Sequence, residues 1–150
     1  MKPLIVLIAA FLISLLVLRF ITGSYDFDFS GRIAMSIMLL FTTIGHFAYT
    51  KGMEMMIPNF LPYKRQLVYV TGVIEFLAAV GLLIPNLQYL TGILLILFFI
   101  LILPANIYAA NHQVDYQKGT LNGPGLKYLG FRIPLQFFFI TWVYFSAIVA

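Results

Sequence analysis

The chain has 150 residues, 62% hydrophobic and 9% charged, with a formal net charge of +4 and no cysteine. Soluble domains run about 45–50% apolar and about 25% charged, so this composition belongs to an integral membrane protein and not to a soluble domain. The lack of cysteine excludes disulfides, thiol redox chemistry and thiolate metal sites, and the basic residues flank apolar runs, which encodes topology and not nucleic-acid binding.

A spanning helix needs about 20 mostly apolar residues. Five segments qualify in chain order: Leu4 to Ile21, Ile33 to Tyr49, Leu67 to Ile84, Leu87 to Ala110 and Ile133 to Val149. The first follows Lys2 as the apolar run of a signal peptide would. Arg19 after it, and the lack of a small-x-small cleavage site, favour a retained helix. Gly23 and Ser24 end that helix, and Ser30 and Gly31 form a turn and cap before the second. Between the second and third lies KGMEMMIPNFLPYKR (Lys51 to Arg65). Its methionines, Ile57, Phe60 and Leu61 are apolar, while Pro58 and Pro62 break any long helix. Such backbone cannot face lipid, so the segment reads as an interfacial lid or an amphipathic anchor. Pro85-Asn86 makes a tight turn, which predicts antiparallel neighbours for the third and fourth helices. A glycine-rich loop, Gly119 to Gly125, precedes the fifth.

The loops set an orientation. Lys2, Lys51, Lys64, Arg65, Lys118, Lys127 and Arg132 fall on one side of the membrane, and only Arg19 and Arg32 on the other. The positive-inside rule then places the N-terminus in the cytoplasm and the C-terminus outside.

Glu75 sits near the middle of the third segment. A carboxylate at that depth costs roughly 3 kcal/mol or more on insertion scales, so it must pair, protonate or face a polar cavity. Thr71, Gly72, Ala78 and Ala79 share its face, and small residues allow close helix approach. His46 lies about one turn from the cytoplasmic end of the second helix, with Thr43 and Thr50 beside it and Ser36 further along the stripe. Pro104 frees the carbonyl of Ile100, and Asn106 follows it. Arg132 and Gln136 share a face of the fifth helix, with Pro134 in its first turn. The predicted constellation is Glu75, His46, Asn106, Gln136 and Arg132 under the Met-rich lid. Structural roles compete with each of these. A lone His near a helix end is often interfacial, Asn and Gln often bond across helices, and Arg132 can snorkel. One His and one Glu do not make a metal site, for which nitrogen and oxygen ligands number three or more.

GHF (Gly45 to Phe47), MIPNFLP (Met56 to Pro62), TGVIEFLAAVGLLIP (Thr71 to Pro85), PANIY (Pro104 to Tyr108) and RIPLQ (Arg132 to Gln136) together resemble the DoxX-like family of small bacterial membrane proteins. The resemblance runs from about Ile33 to the C-terminus. It implies a four-helix core at about 33–149, with the first helix an addition, in a bacterial inner-membrane protein. The family takes its name from a subunit of a thiosulfate:quinone oxidoreductase. Other members are linked to oxidative-stress complexes, and distant relatives look like assembly factors. Its motif residues fall here on His46, Pro58, Glu75, Asn106, Arg132 and Gln136.

The expected fold is a single all-α domain, 1–150, an integral membrane bundle of about five transmembrane helices. The expected function is a cytoplasm-side pocket for a small lipophilic ligand, such as a quinone or isoprenoid, in support of a membrane redox complex. Asn106, Gln136, Arg132, Met56 and Pro58 would hold the ligand, and Glu75 and His46 would exchange a proton with it. No resident metal is expected. The alternative is a non-catalytic accessory subunit or assembly factor, bound to another membrane protein or to a second copy, with the polar cluster locking helices together.

Overall fold

A computed structural model describes residues 2–150 as six α-helices and a closing π-helical turn. The helices are α1 (Lys2–Thr22), α2 (Phe27–Ala48), α3 (Thr50–Glu54), α4 (Lys64–Gly81), α5 (Gln88–Asn111) and α6 (Leu126–Val143), and the π-helical turn is Tyr144–Ile148. The fold is all-α, and an isolated bridge between Asp115 and Thr120 orders the α5–α6 loop. Among the described residues, four stretches are long and apolar enough to cross a membrane: α1, α2, α5 and Leu126–Ile148. The remaining expected span is α4, whose 18 residues include Lys64, Arg65 and Glu75.

Local chemistry sets the helix ends. Gly23, at φ +78°, terminates α1 in a left-handed conformation that suits glycine, and its N–H donates to Arg19 O at 3.0 Å. The second helix starts earlier than the expected turn at Ser30 and Gly31, because the Asp26 carboxylate accepts from Phe29 N at 2.9 Å and caps it. Ser30 and Gly31 therefore lie inside α2, both buried. The last helix also begins earlier than expected, at Leu126, so Pro134 sits in its interior and not in its first turn. The carbonyl that its ring crowds belongs to Gly130, where even an added Cβ would meet nothing within 4 Å. The expected lid is partly helical, through α3.

Packing centres on α2. It meets α1 along one side and α4 along another, and it touches α6 and the π-helical turn. The α1 helix is peripheral. Its main neighbour is α2, apart from Phe11, whose ring stands edge-on to Trp142 at 5.1 Å. Pro85-Asn86 does make the expected turn, but α4 rests mainly on α2 and only lightly on α5, while α5 packs on α6. The close α4–α5 approach is at the turn, where a Cβ on Gly81 would run into the Thr91 side chain. At the C-terminal end of α6, Trp142 Nε1 donates to Gly31 O at 3.0 Å and Arg32 Nη1 donates to Ser146 O at 2.8 Å.

The outward surface is apolar, and polar side chains are buried beside an apolar core. Ser14, Ser36, Thr43, Glu75, Asn106, Gln136 and Ser146 are buried, while Ile13, Phe20, Val70, Leu77, Leu94 and Leu101 point outward. In lipid the outward apolar side chains need no cover, and the polar ones must find partners inside.

Candidate functional site

The sequence-predicted residues divide into two groups at the end of the bundle that carries α3 and the α5–α6 loop. The first group joins α2 to α4. His46 Nε2 lies 3.3 Å from Glu75 Oε2, and Glu75 is 6% exposed. Thr42 Oγ1 donates to the same carboxylate oxygen at 2.9 Å. On the other side of the ring, His46 Nδ1 lies 3.0 Å from Val68 O and 3.2 Å from Thr71 Oγ1. A carbonyl only accepts, so Nδ1 carries a hydrogen. The contact between Nε2 and Glu75 then needs one more proton, which sits on the ring or on the carboxyl. The pair is thus a one-proton unit, imidazolium–carboxylate or imidazole–carboxylic acid.

Small residues bring the two helices close enough for this. Gly72 and Ala79 are buried on α4, and a Cβ on Gly72 would stand 2.9 Å from the His46 Cβ. Ser36 Oγ donates to Ala79 O at 2.8 Å and Thr43 Oγ1 to Gly72 O at 3.4 Å. Gly72, Ala78 and Ala79 are buried with Glu75, and Thr71 is half-buried, so the face read from the sequence is the one that packs. The sequence reading passed over Thr42. Its signal was available, since Thr42 is four residues before His46 and shares its face.

The second group lies between the lid, α5, α6 and the loop that joins them. Met56, Asn106 and Arg132 line one cavity of about 40 Å³, together with Tyr116, Tyr128 and apolar neighbours. By the rule that one water needs roughly 10–15 Å³, this is room for about three waters. Asn106 is 7% exposed, and its amide nitrogen is buried with no hydrogen-bond partner. Arg132 has one side-chain hydrogen bond, a long one of 3.5 Å to the Tyr128 hydroxyl. The Tyr116 hydroxyl is pushed above its ordinary value, first by burial and then by Tyr128, so it stays protonated at neutral pH.

The sequence reading also passed over Tyr116. It is placed by loop chemistry: the Asp115 carboxylate accepts from Gln117 N and Lys118 N, each at 3.2 Å, and Gly119 turns at φ +65°. Gly52 of α3 lies against the Tyr116 carbonyl so tightly that a Cβ would overlap it. The Tyr49 and Tyr116 rings meet edge to face at 6.0 Å.

The expected single constellation is therefore not what forms. Among the described residues no hydrogen bond or ion pair links Glu75 or His46 to Asn106, Arg132 or Gln136. The reason is packing: α4 turns Glu75 toward α2, while Asn106 and Arg132 face the α5–α6 side. Gln136 is buried, but its amide donates to Phe99 O at 2.8 Å and not into the cavity. That carbonyl is not the one at Ile100 that Pro104 leaves without its usual donor, but its neighbour, so Gln136 ties α6 to α5 one residue away from the orphaned group. Pro58 is buried in the lid without lining the cavity.

Comparison with known proteins adds one finding. No curated protein and no solved structure matches the chain. The model of a family described as Domain of unknown function (DUF8561) matches residues 35–147, from within α2 to the π-helical turn, and the chain belongs to that family.

Proposed function

We propose that the protein binds the polar head of a small lipophilic ligand, such as a quinone or an isoprenoid, in the cavity under Met56. One observation carries this: Asn106 lines a cavity with room for a small polar group, and its buried amide nitrogen has no partner within the protein. A buried donor left unpaired costs about 1–3 kcal/mol, which a bound acceptor recovers. Methionine in the lid suits ligands of irregular shape. The charge asymmetry of the loops supports a cytoplasmic-side cavity with the N-terminus inside, and the resemblance to DoxX-like proteins supports a bacterial inner membrane. The resemblance to DoxX-like proteins supports a place beside a membrane redox complex. Proton exchange between ligand and Glu75–His46 is not part of this reading, since among the described residues no hydrogen bond or ion pair joins that pair to a residue lining the cavity. Glu75 and His46 instead clamp α2 to α4 through their shared proton.

A second reading, an accessory subunit or assembly factor, is favoured by a different observation. Ser36, Thr43, Glu75 and Gln136 all bond across helices, as a purely structural cluster would. Extraction from native membranes without detergent, followed by mass spectrometry of the extracted lipids and proteins, separates the two. A stoichiometric lipophilic molecule that is lost on Asn106→Asp supports the ligand site. A stable protein partner with no such molecule supports the accessory role and removes the first reading.

A further inference from the structure

The polar side chains that line the cavity are Asn106, Tyr116, Tyr128 and Arg132, and none is a carboxylate. Among the described residues the ion pairs are His46–Glu75 and Arg65–Glu54, so Arg132 has no acidic partner. A guanidinium offers five N–H donors, and this one has a single long bond, to Tyr128. The cavity thus joins a cation without a counter-charge to a buried amide nitrogen without an acceptor.

We infer that this cavity takes a carboxylate-sized oxyanion, the head of an amphiphile, held by the Arg132 guanidinium and the Asn106 amide. This rests on the ligand site proposed above and narrows it. A neutral carbonyl or a water would satisfy Asn106 but leave the half-buried charge of Arg132 uncompensated. Charge-assisted bonds from a guanidinium to a carboxylate are roughly twice as strong as neutral ones. Size points the same way. Room for about three waters matches the three heavy atoms of a carboxylate. Tyr116, kept protonated by burial, presents a hydroxyl and not a repelling phenolate. Met56, Val114 and Leu129 give the first carbons of a tail an apolar wall. Lys51, Lys64, Arg65, Lys118 and Lys127 lie at the same end and outnumber Glu54 and Asp115, so the local field draws anions in.

The test uses the full-length protein, delipidated in detergent and titrated by native mass spectrometry with palmitate, hexadecanol and decylubiquinone. Palmitate is expected to bind one to one, at least ten-fold more tightly than hexadecanol. Arg132→Gln and Asn106→Asp should each weaken palmitate at least ten-fold, while Lys118→Gln on the exposed loop should not. Circular dichroism checks that each variant is folded. If Arg132→Gln unfolds, Asn106→Asp and the ligand series decide. Acetate as a competitor identifies the source of the oxyanion. Displacement of palmitate by acetate means a soluble carboxylate, and no displacement means an amphiphile from the bilayer; the first outcome overturns the requirement for a tail, and the second upholds it. Equal binding of hexadecanol and palmitate, or an unaltered palmitate affinity in both cavity variants, overturns the oxyanion. Decylubiquinone binding where palmitate does not overturns it too, but leaves the lipophilic-ligand site standing. Failure of all three amphiphiles removes both.

Discussion

Glu75 and Asn106 are both polar and both buried, yet their surroundings differ in kind. Glu75 meets His46 and Thr42, and His46 in turn meets Val68 and Thr71. Asn106 leaves its amide nitrogen unpaired beside a cavity. A buried group bonded to its neighbours holds the fold, and removing it should destabilise. A buried group with a bond missing burdens the fold, and removing it should not. Polarity within a membrane helix therefore does not separate structural from binding residues; the presence of a partner inside the protein does.

The sharpest break of this comparison is at Glu75. Glu75→Ala strands His46 Nε2 and should cost about 3–5 kcal/mol, read by denaturant unfolding in detergent. Glu75→Gln should stay within about 1 kcal/mol of wild type, because the ring can keep its hydrogen on Nδ1 and accept from the new amide at Nε2. A severe loss in Glu75→Gln would show that the shared charge, and not the hydrogen bond, holds the clamp. Next come the two tight glycines. Gly72→Ala drives a methyl into His46, and Gly52→Ala drives one into the Tyr116 carbonyl. Overpacking should cost each about 1–3 kcal/mol. Gly52→Ala should also loosen the lid, seen as faster proteolysis after Lys51 or Lys64.

Asn106→Leu should change sign. Replacing an unpaired buried amide with an apolar side chain of similar size should leave the ligand-free protein as stable as wild type or about 1 kcal/mol more so, while ligand retention falls. A large loss of stability would mean that Asn106 is already bonded and belongs with Glu75. The smallest effect is expected for Gln136→Leu, near the roughly 0.6 kcal/mol typical of a hydrogen bond between membrane helices. A much larger cost would mark the stretch of α5 before Pro104 as a weak point that Gln136 splints.

The contact between His46 and Glu75 was legible in the sequence because depth and spacing both constrain it. Each residue lies a countable number of turns from a helix end, and the small residues around Glu75 mark the face that packs. Membership of the second group was legible by chemistry, but not its separation from the first. That depends on how α4 is rotated and on which helix it leans against, and a tight turn at Pro85-Asn86 says only that α4 and α5 are joined. Gln136 was misassigned for a related reason. It shares a helix face with Arg132, yet one turn further along it meets the backbone of α5 instead of the cavity. Tyr116 could not be found by helix periodicity, since it is carried by an Asx turn in a loop.

The light contact between α4 and α5 has a consequence for assembly. The helices before Pro85 hold one another through α2, those after Asn86 hold one another through α5 and α6, and the two sets meet mainly along α2. A chain cut at this turn should therefore yield two membrane-inserted fragments that reassociate when coexpressed. Met56 would come from one fragment, and Asn106 and Arg132 from the other, so the cavity would exist only in the rejoined pair. Fragment complementation would thus make ligand retention a reporter of helix assembly.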